Sequence, residues 1–493
     1  MILDRQSPEN CTAPTQVVAG GAVQPAFDEM NGHGQGVRPP YGLVHQWLQS
    51  QAIYELHMRR GEAEALFRRS GITFAVYGDD AATERLIPFD IIPRVLSGQE
   101  WRSLASGIEQ RVRALNAFMY DVYHRQEIIR AGRIPEGLII QNAAFLPEMM
   151  CVEPARGIYS HVIGIDIVRT SENEFFVLED NTRTPSGVSY MLENRETMMH
   201  MFPELFVRNR VAPVEDYPDN LRLTLESVAP PNLDREPTVV VLTPGIHNSA
   251  YFEHSFLADQ MGAELVEGRD LVVVDGTLHM KTTQGLKQVE VVYRRIDDAF
   301  LDPLAFRRDS SIGVPGMFDV YRAGRLTIVN APGTGIADDK SIYAYMPEIV
   351  EFYTGRPAIL KNVPTYLCRE RDDLAYVLDH LSELVVKQVD GSGGYGMLVG
   401  PAASRAEIDK FRALLKAHPH RYIAQPTLAL STCPTLADQG IAARHVDFRP
   451  FVLVGDRVRL TPGGLTRVAL RAGSLVVNSS QGGGTKDTWV LQE

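Results

Sequence analysis

The sequence predicts an α/β protein with several domains (α+β in overall arrangement), and three observations support this prediction. The chain has 493 residues and an ordinary globular composition, so it is long enough for about three domains. Short apolar strands alternate with helical segments between residues 239 and 330, which is typical of a Rossmann-like layer. Hairpin patterns occur on both sides of that layer, at residues 164–181 and 384–399.

Composition limits the possible partners. The chain has 49 basic and 61 acidic residues, and its net charge of −12 argues against a nucleic-acid partner or an anionic membrane surface. The sequence starts without an apolar signal region and has no run of 18 apolar residues, so we expect neither secretion nor a membrane span. Four scattered cysteines fit a reducing, cytoplasmic location.

Changes in composition divide the chain into four predicted parts. The first, rich in Gly, Pro, Gln, Asn and Ala, is expected to be a mobile arm. The second contains a helix, because the capping box Ser97–Glu100 precedes an apolar stripe from Trp101 to Val122. A stretch with Pro and Asp, Val211 to Pro237, is interpreted as a link. The predicted parts are residues 1–40, 41–235, 236–335 and 336–493.

The third part gives the clearest element pattern. Val239 to Leu242 predicts a buried strand, and Tyr251 to Met261 predicts a helix ended by Gly262. Further strands are expected at residues 264–266, 271–274, 289–293 and 326–330, and two helices at 339–353 and 371–384. This alternation predicts the Rossmann-like layer.

A lysine and a glycine-rich turn follow those helices. The strand Leu384 to Lys387 precedes Gly391-Ser392-Gly393-Gly394-Tyr395-Gly396, so the lysine comes before the glycines and a Walker loop is excluded. A second short strand follows, whereas a dinucleotide site requires a helix there. We interpret the segment as a hairpin whose backbone N–H groups approach phosphate oxygens, with Lys387 as a point charge. The alternative is a tight hairpin that has no role in binding phosphate.

Carboxylates mark the earlier hairpin. If its turn is centred between Glu172 and Asn173, Asp166 lies opposite Glu179 on the neighbouring strand. Asn181 shares the face of Glu179, whereas Asp180 points the other way. Two carboxylates and one amide oxygen are hard ligands of the kind that Mg²⁺ prefers. The alternative is a solvated polar end of a hairpin.

Taken together, these segments resemble the circularly permuted ATP-grasp proteins (type 2) related to glutathionylspermidine synthetase. The candidate metal ligands precede Lys387, which is the permuted order. The most characteristic stretches are Glu179 to Tyr190, Val386-Lys387 with its glycine turn, and Asn478 to Trp489. The resemblance implies a circularly permuted ATP-grasp fold with a Rossmann-like pre-ATP-grasp domain, with ATP and Mg²⁺ as cofactors.

The resemblance also implies nucleotide-binding residues. Lys340 and Lys387 are expected to contact the α- and β-phosphates, although Lys340 could instead be a solvated helix charge. The strand Tyr422 to Pro426 resembles the one that meets adenine, and Gln425 is the best substitute for the usual ribose carboxylate, which is missing. The full cofactor-binding set implied is Lys340, Lys387, Gly391, Ser392, Gly393, Gly394 and Gln425.

Arginines are implied in catalysis. Arg467 is expected to stabilise the transferred phosphate, with Arg449 as the reserve. Gly164 replaces the family's substrate-binding arginine, so Arg183 and Arg169 are candidates for the substrate carboxylate, or else ordinary ion pairs.

The implied activity is an ATP-dependent carboxylate–amine ligase acting through an acyl phosphate. Its substrates would be an amine and a small or peptide-like carboxylate. Two alternatives stay open, namely a phosphotransferase on the same fold and a nucleotide-binding partner protein without turnover. The ligase chemistry needs no protein nucleophile, so His247, His254 and Cys433 are not expected to be catalytic.

Overall fold

A computed structural model describes residues 15–17, 23–32, 34, 36–75, 84–231, 233–391, 396–478 and 482–492. Its helices are α1 Gly42–Ser50, α2 Ile53–Arg69, α3 Gly98–Tyr123, α4 Glu127–Arg130, α5 Glu136–Ile140, α6 Val188–Met201, α7 Pro203–Asn209, α8 Tyr217–Ser227, α9 Tyr251–Met261, α10 Asp298–Leu301, α11 Met317–Arg322, α12 Lys340–Tyr343, α13 Met346–Thr354, α14 Arg371–Asp379 and α15 Arg405–Ala417.

The strands up to the end of the parallel layer are β1 Thr15–Val17, β2 Val23–Pro25, β3 Thr73–Ala75, β4 Glu84–Leu86, β5 Phe89–Leu96, β6 Val162–Ser171, β7 Glu174–Asn181, β8 Val239–Leu242, β9 Glu264–Val266, β10 Leu271–Val274, β11 Thr277–Thr282, β12 Gly285–Gln288, β13 Val291–Arg294 and β14 Thr327–Val329. The later strands are β15 Lys361–Asn362, β16 Tyr366–Leu367, β17 Leu384–Gln388, β18 Leu398–Val399, β19 Tyr422–Pro426, β20 Thr432–Ala437, β21 Gly440–Arg449, β22 Phe451–Val454, β23 Val458–Leu460, β24 Leu465–Val468 and β25 Gly484–Val490.

The largest sheet carries the first hairpin. Its main path runs β15-β7-β6-β21-β24-β25-β5, and β20, β22 and β23 pair at its side. Helix α3 starts with the predicted capping box, in which Ser97 and Glu100 bond each other's backbone. Ile163, Ile165 and Ile167 of β6 share a buried cluster with the first half of the apolar stripe of α3, as far as Val112. Because strand residues alternate, Gly164 and Asp166 lie on the opposite face.

The predicted layer is a four-stranded parallel sheet, in the order β14-β13-β8-β9. Helix α9 follows β8 and ends at Gly262, whose φ is 63°. The expectation that Leu271 to Val274 joins this layer is wrong, because β10 begins a separate antiparallel sheet with β11 and β12. Asp275 and Gly276 have φ of 49° and 70°, and this tight turn sends the chain straight back into β11.

The structure describes parts of two other predicted segments. The predicted link contains helix α8, whose Tyr217, Leu221 and Leu225 are buried at helical spacing. The described end of the expected mobile arm is packed into the protein, with Phe27 and Glu29 only 2% and 0% exposed. Arg94 and Arg169 outweigh the effect of burial and lower the pKa of Glu29 to about 2, so this end is held by buried charge pairs.

The glycine hairpin belongs to a third sheet, in the order β16-β19-β17-β18. Strands β17 and β18 are antiparallel, with Val385 opposite Val399 and Val386 opposite Leu398, so the hairpin prediction is confirmed. The helix predicted to run to residue 384 ends earlier, at Asp379. Within the described part of the chain, no helix is both long and apolar enough to cross a membrane.

Candidate active site

The large sheet, the parallel layer and the third sheet surround one cavity of about 1390 Å³. Most of the residues predicted from the sequence line this cavity, although they come from distant parts of the chain. They are Asp166, Glu179, Asn181, Arg183, Lys340, Lys387, Gly391, Gln425, Arg449 and Arg467. Ser392, Gly393 and Gly394 lie outside the described residues.

The hairpin of β6 and β7 has the predicted register at the carboxylates. Asp166 lies opposite Glu179, and Gly164 lies opposite Asn181. Asp180 faces helix α3, where Arg111 Nε and Nη2 each donate to one of its carboxylate oxygens at 2.6 Å. Glu179 and Asp180 are therefore neighbours in sequence on opposite faces of the sheet.

Asp166 is shared by two arginines. Arg449 Nη2 donates to Asp166 Oδ2 at 2.8 Å, and Arg449 Nε also bonds Asp166 Oδ1. Arg467 Nη2 donates to the same Oδ2 at 2.7 Å and pairs with Asp447 on its other side. Burial would raise the pKa of Asp166, but Arg449 and Arg467 outweigh it and hold that pKa well below its usual range. The carboxylate of Asp166 is therefore ionised.

The donor chemistry fits Mg²⁺. Asp166 and Glu179 offer carboxylate oxygens across the hairpin, and the buried amide nitrogen of Asn181 has no hydrogen-bond partner among the described residues. An amide that makes no such bond can turn its oxygen toward a cation. In the same described part of the chain, no group of three or more His, Cys, Asp or Glu side chains is arranged for a metal. A site here would therefore need the asparagine or oxygens from a ligand.

Lys340 lies between the metal candidates and the glycine hairpin. Asp339 caps helix α12 by accepting from the backbone N–H of Ser341 at 2.8 Å, and this positions Lys340 in the first turn. Lys340 Nζ donates to the carbonyl oxygen of Gly391 at 2.6 Å and lies 3.4 Å from Glu179 Oε2. The lysine is thus held inside the cavity by the hairpin.

Lys387 has only a neutral partner in hydrogen-bonding distance among the described residues. Its Nζ donates to Gln425 Oε1 at 2.9 Å, and Gln425 Nε2 donates to Thr365 Oγ1 at 3.0 Å. Burial lowers the pKa of Lys387 to about 8, although the charge of Glu179 opposes this shift. An anion bound beside the ammonium group would relieve the cost of burying it.

The two arginines considered for the substrate lie in different places. Arg183 lines the cavity, 3.4 Å from Asp297 Oδ1 and 3.7 Å from Asp338 Oδ2. Arg169 is fully buried outside the cavity, where it pairs with Glu100 at 2.5 Å. The structure therefore contradicts Arg169 as a substrate ligand, because the sheet separates it from the cavity.

The side chain of Arg449 lies against Gly164, the position at which the resemblance implies an arginine. A Cβ atom on Gly164 would lie 3.3 Å from Arg449 Cδ and 3.2 Å from Pro185 Cβ, so a larger residue would crowd both side chains. Arg449 also donates to the carbonyl oxygen of Ser186 at 3.1 Å. Arg449, at the end of β21, thus places its guanidinium group beside Asp166 of β6.

Sequence reasoning missed the residues that hold the segment after β7. Glu253 Oε2 accepts from the backbone N–H groups of Gly187 at 2.6 Å and Ser189 at 3.2 Å. Arg295 donates to the carbonyl oxygen of Pro185 at 2.7 Å and to Glu253 at 3.0 Å. No local pattern links these residues. The one usable signal was Gly187, whose φ of 110° favours glycine at the start of α6.

Comparison with known proteins agrees with this geometry. Residues 93–469 match the family model described as circularly permuted ATP-grasp type 2. The chain belongs to this family. The predicted resemblance and fold class are therefore confirmed.

An uncharacterised protein of Synechocystis sp. is 53% identical to this ATP-grasp chain over 92% of the chain and 95% of its own length. An uncharacterised protein of Mycobacterium tuberculosis is 49% identical over 94% and 84%, respectively. A Frankia alni protein named "Putative glutamate--cysteine ligase 2-3" is 40% identical over 97% of this chain and 56% of its own length. This chain thus corresponds to little more than half of that relative.

A solved structure shares the fold at low sequence identity. The glutathione synthetase-like effector GSS30 from Globodera pallida, in its apo form, superposes with a TM-score of 0.56 over 90% of this chain and 98% of its own. Its sequence identity is 11%, so the likeness supports the architecture alone.

Proposed function

We propose that this chain is an ATP-dependent ligase that joins a small or peptide-like carboxylate to an amine through an acyl phosphate. One observation carries the proposal: two lysines, two facing carboxylates and two arginines line the same cavity, namely Lys340, Lys387, Asp166, Glu179, Arg449 and Arg467. The family and the ligase name of the Frankia relative support this reaction class.

Each group has a proposed role in binding. Lys340 and Lys387 contact the α- and β-phosphates, with Gly391 to Gly394 as the covering turn and Gln425 near the nucleoside. Asp166, Glu179 and Asn181 hold Mg²⁺. Bound ATP supplies the phosphoryl group, and the metal neutralises charge on the phosphates.

Two arginines of the cavity act on the reacting groups. Arg467 faces the transferred phosphoryl group, and Arg449 or Arg183 orients the carboxylate. In the first step a carboxylate oxygen forms a bond to the γ-phosphorus as the bond to ADP breaks. In the second step the amine nitrogen bonds the acyl carbon, inorganic phosphate leaves, and the amine gives one proton to solvent. Fixed positive charge serves both steps better than a protein nucleophile would.

The test is a product screen. Panels of carboxylates and amines, including thiol peptides and polyamines, are incubated with ATP and Mg²⁺, and ADP release is followed together with mass spectrometry. The expected product is heavier than the carboxylate by the amine minus one water, and the amine should accelerate ADP release. Lys387→Ala, assayed in parallel, should release little ADP if the turnover belongs to this cavity.

Other products would change the assignment. A water-stable phosphorylated product would identify a phosphotransferase, and AMP with pyrophosphate would overturn the acyl-phosphate route. Firm ATP binding without turnover would favour a nucleotide-binding partner protein.

A further inference from the structure

Three side chains form a hydrogen-bonded row across one face of the third sheet. Lys387 of β17 lies opposite Ile423 of β19, so Gln425, two residues further along β19, shares its face. Thr365 directly precedes the edge strand β16 on the other side of β19. Lys387 Nζ donates to Gln425 Oε1 at 2.9 Å, and Gln425 Nε2 donates to Thr365 Oγ1 at 3.0 Å. The row thus leads from the cavity, which Lys387 and Gln425 line, to a residue behind its wall.

The orientation of the Gln425 amide follows from both of its neighbours. Thr365 Oγ1 donates its only proton to the carbonyl oxygen of Val363 at 2.9 Å, so toward Gln425 it can only accept. An ammonium group can only donate, so Lys387 requires an oxygen on its side of the amide. Both constraints place Nε2 toward Thr365 and Oε1 toward Lys387. Gln425 is 2% exposed, so solvent competes little for either bond.

This acceptor holds Lys387 without neutralising its charge. Burial lowers the pKa of Lys387 to about 8; among the charged groups around it, Glu179 and Asp166 oppose this shift and Lys340 adds to it. The adjoining strands β18 and β19 contribute no charged side chain, and their one titratable group, Tyr422, lies on the opposite face of the sheet. The ammonium charge therefore stays available to an anion in the cavity.

We propose that Thr365 and Gln425 are positioning residues, which hold Lys387 against the nucleotide phosphates and leave its charge uncompensated. The proposal rests on the proposed function in taking Lys387 as a phosphate ligand. Both residues act through the lysine, so neither needs to touch the nucleotide. A carboxylate in place of the amide would pair with the ammonium group and repel the phosphates, so position 425 requires a neutral acceptor.

The test measures ATP affinity by calorimetry with Mg²⁺ between pH 7 and 9.5. Gln425→Glu should weaken ATP binding by about 10-fold or more at pH 7.5. It should also move the loss of affinity upward by about 1–3 pH units, because a carboxylate beside the ammonium group raises the pKa of Lys387.

Thr365→Val tests the other end of the row. It removes the acceptor of Gln425 Nε2 and leaves the amide free to turn, so ATP affinity should fall about 2- to 10-fold. The loss of affinity should begin at a lower pH, since a lysine without its acceptor releases its proton more easily. Thr365→Ser keeps the hydroxyl and should restore both the affinity and the pH profile.

Gln110→Glu is the matched control for the added charge. Gln110 also uses both ends of its amide, because Nε2 donates to the carbonyl oxygen of Pro357 at 3.0 Å and Oε1 accepts from the backbone N–H of Ile359 at 2.9 Å. It is not part of the cavity wall, so this variant should change neither the affinity nor the pH profile. Thermal denaturation checks that each variant is folded. A purely structural role would lower the affinity equally at every pH.

Several results would overturn the positioning role. They are an unshifted pH profile in Gln425→Glu, wild-type ATP affinity in Thr365→Val, or an equal shift in Gln110→Glu. If Gln425→Glu does not fold, the two Thr365 variants decide alone. The two proposals can fail separately. Loss of ATP affinity in Lys387→Ala without an effect of Thr365 or Gln425 would remove only the positioning role. The expected pH shifts without ligation of any substrate would leave that role standing and remove only the ligase reaction.

Discussion

Charges buried in the core and charges that line the cavity are paired in different ways. In the core, Asp180 receives two hydrogen bonds from Arg111 at 2.6 Å each. In the cavity, the neighbouring residue Glu179 lies 3.4 Å from Lys340 and 3.9 Å from Arg449, which are loose contacts. Both carboxylate oxygens of Asp180 accept short hydrogen bonds from an arginine, whereas Glu179 has only the two longer contacts.

The lysines show the same contrast. Lys486 is fully buried, pairs with Asp90 and also donates to the carbonyl oxygen of Pro434 at 3.1 Å. Lys387 has the neutral amide of Gln425 instead of a carboxylate. A buried charge without its partner destabilises a protein, so incompletely paired charges gathered in one cavity mark that cavity as a candidate ligand site.

Asp166 departs from this contrast, because two arginines hold it. Since Arg467 also pairs with Asp447, the cluster alternates positive and negative groups. The three hydrogen bonds to Asp166 leave one of its carboxylate oxygens with a single donor, so a cation bound there would share Asp166 with the arginines.

The largest effect should come from breaking the completed core pair. Asp180→Asn leaves the buried charge of Arg111 without its ionic partner, so the free energy of unfolding should fall by about 3–5 kcal/mol. Urea denaturation measures it. Glu179→Gln is the control and should change the free energy of unfolding little. If both variants lost the same free energy of unfolding, the charge pair in the core would contribute no more to stability than the contacts of Glu179 in the cavity.

The next effect concerns turnover. Glu179→Gln removes one ionised oxygen donor from the candidate metal set, so Mg²⁺-dependent ADP release should fall by more than about 100-fold in a folded protein. Glu174→Gln is the matched control, because Glu174 lies on the same strand but pairs with the exposed Lys361. If Glu179→Gln keeps the wild-type dependence on Mg²⁺, Glu179 is not a metal ligand.

A smaller effect is expected for the nucleotide. Lys387→Ala removes one charge-assisted phosphate contact, worth roughly 1.5–3 kcal/mol or about 10- to 100-fold in ATP affinity. Calorimetric titration of ATP with Mg²⁺ measures this loss. Lys361→Ala, at the exposed surface pair, should leave the affinity unchanged. An unaltered affinity in Lys387→Ala would exclude this lysine from the nucleotide site.

Local patterns were sufficient to predict much of this site. The register of β6 and β7 follows from a short polar turn, and the two bulges in the hairpin offset each other before the chain reaches Asp166 and Glu179. The lysine hairpin likewise depends on a few consecutive residues. A local signal was also misjudged, because the Asp275-Gly276 turn already indicated that β10 leaves the parallel layer.

Contacts between distant segments could not be predicted in this way. Arg449 reaches Asp166 across 283 positions of the chain, and Arg295 reaches Pro185 across 110. Neither contact has a periodicity or spacing that a sequence displays. Helix α8 was missed because its segment begins and ends among prolines, although its apolar residues have helical spacing.

The last prediction uses the incomplete pairing of Lys387. Because burial lowers its pKa to about 8, its ammonium group loses a proton as the pH rises through 8, well below the usual range of lysine. ATP binds the charged form, so the affinity should fall about tenfold per pH unit above that pKa. The ligand-free stability should move in the opposite direction. Between the folded and the unfolded pKa the unfolded chain binds more protons, so this lysine's contribution to stability rises with pH.

Lys387→Arg separates this titration from all others, because arginine keeps its charge across the range. Calorimetry with ATP and Mg²⁺ at several pH values between 7 and 9.5 should show a steeper loss of affinity in the wild type than in Lys387→Arg. Denaturation curves at the same pH values should show a gain in wild-type stability relative to the arginine variant. Parallel pH profiles for the two proteins would mean that Lys387 does not titrate in this range. The contrast between Lys387 in the cavity and Lys486 in the core would then not hold.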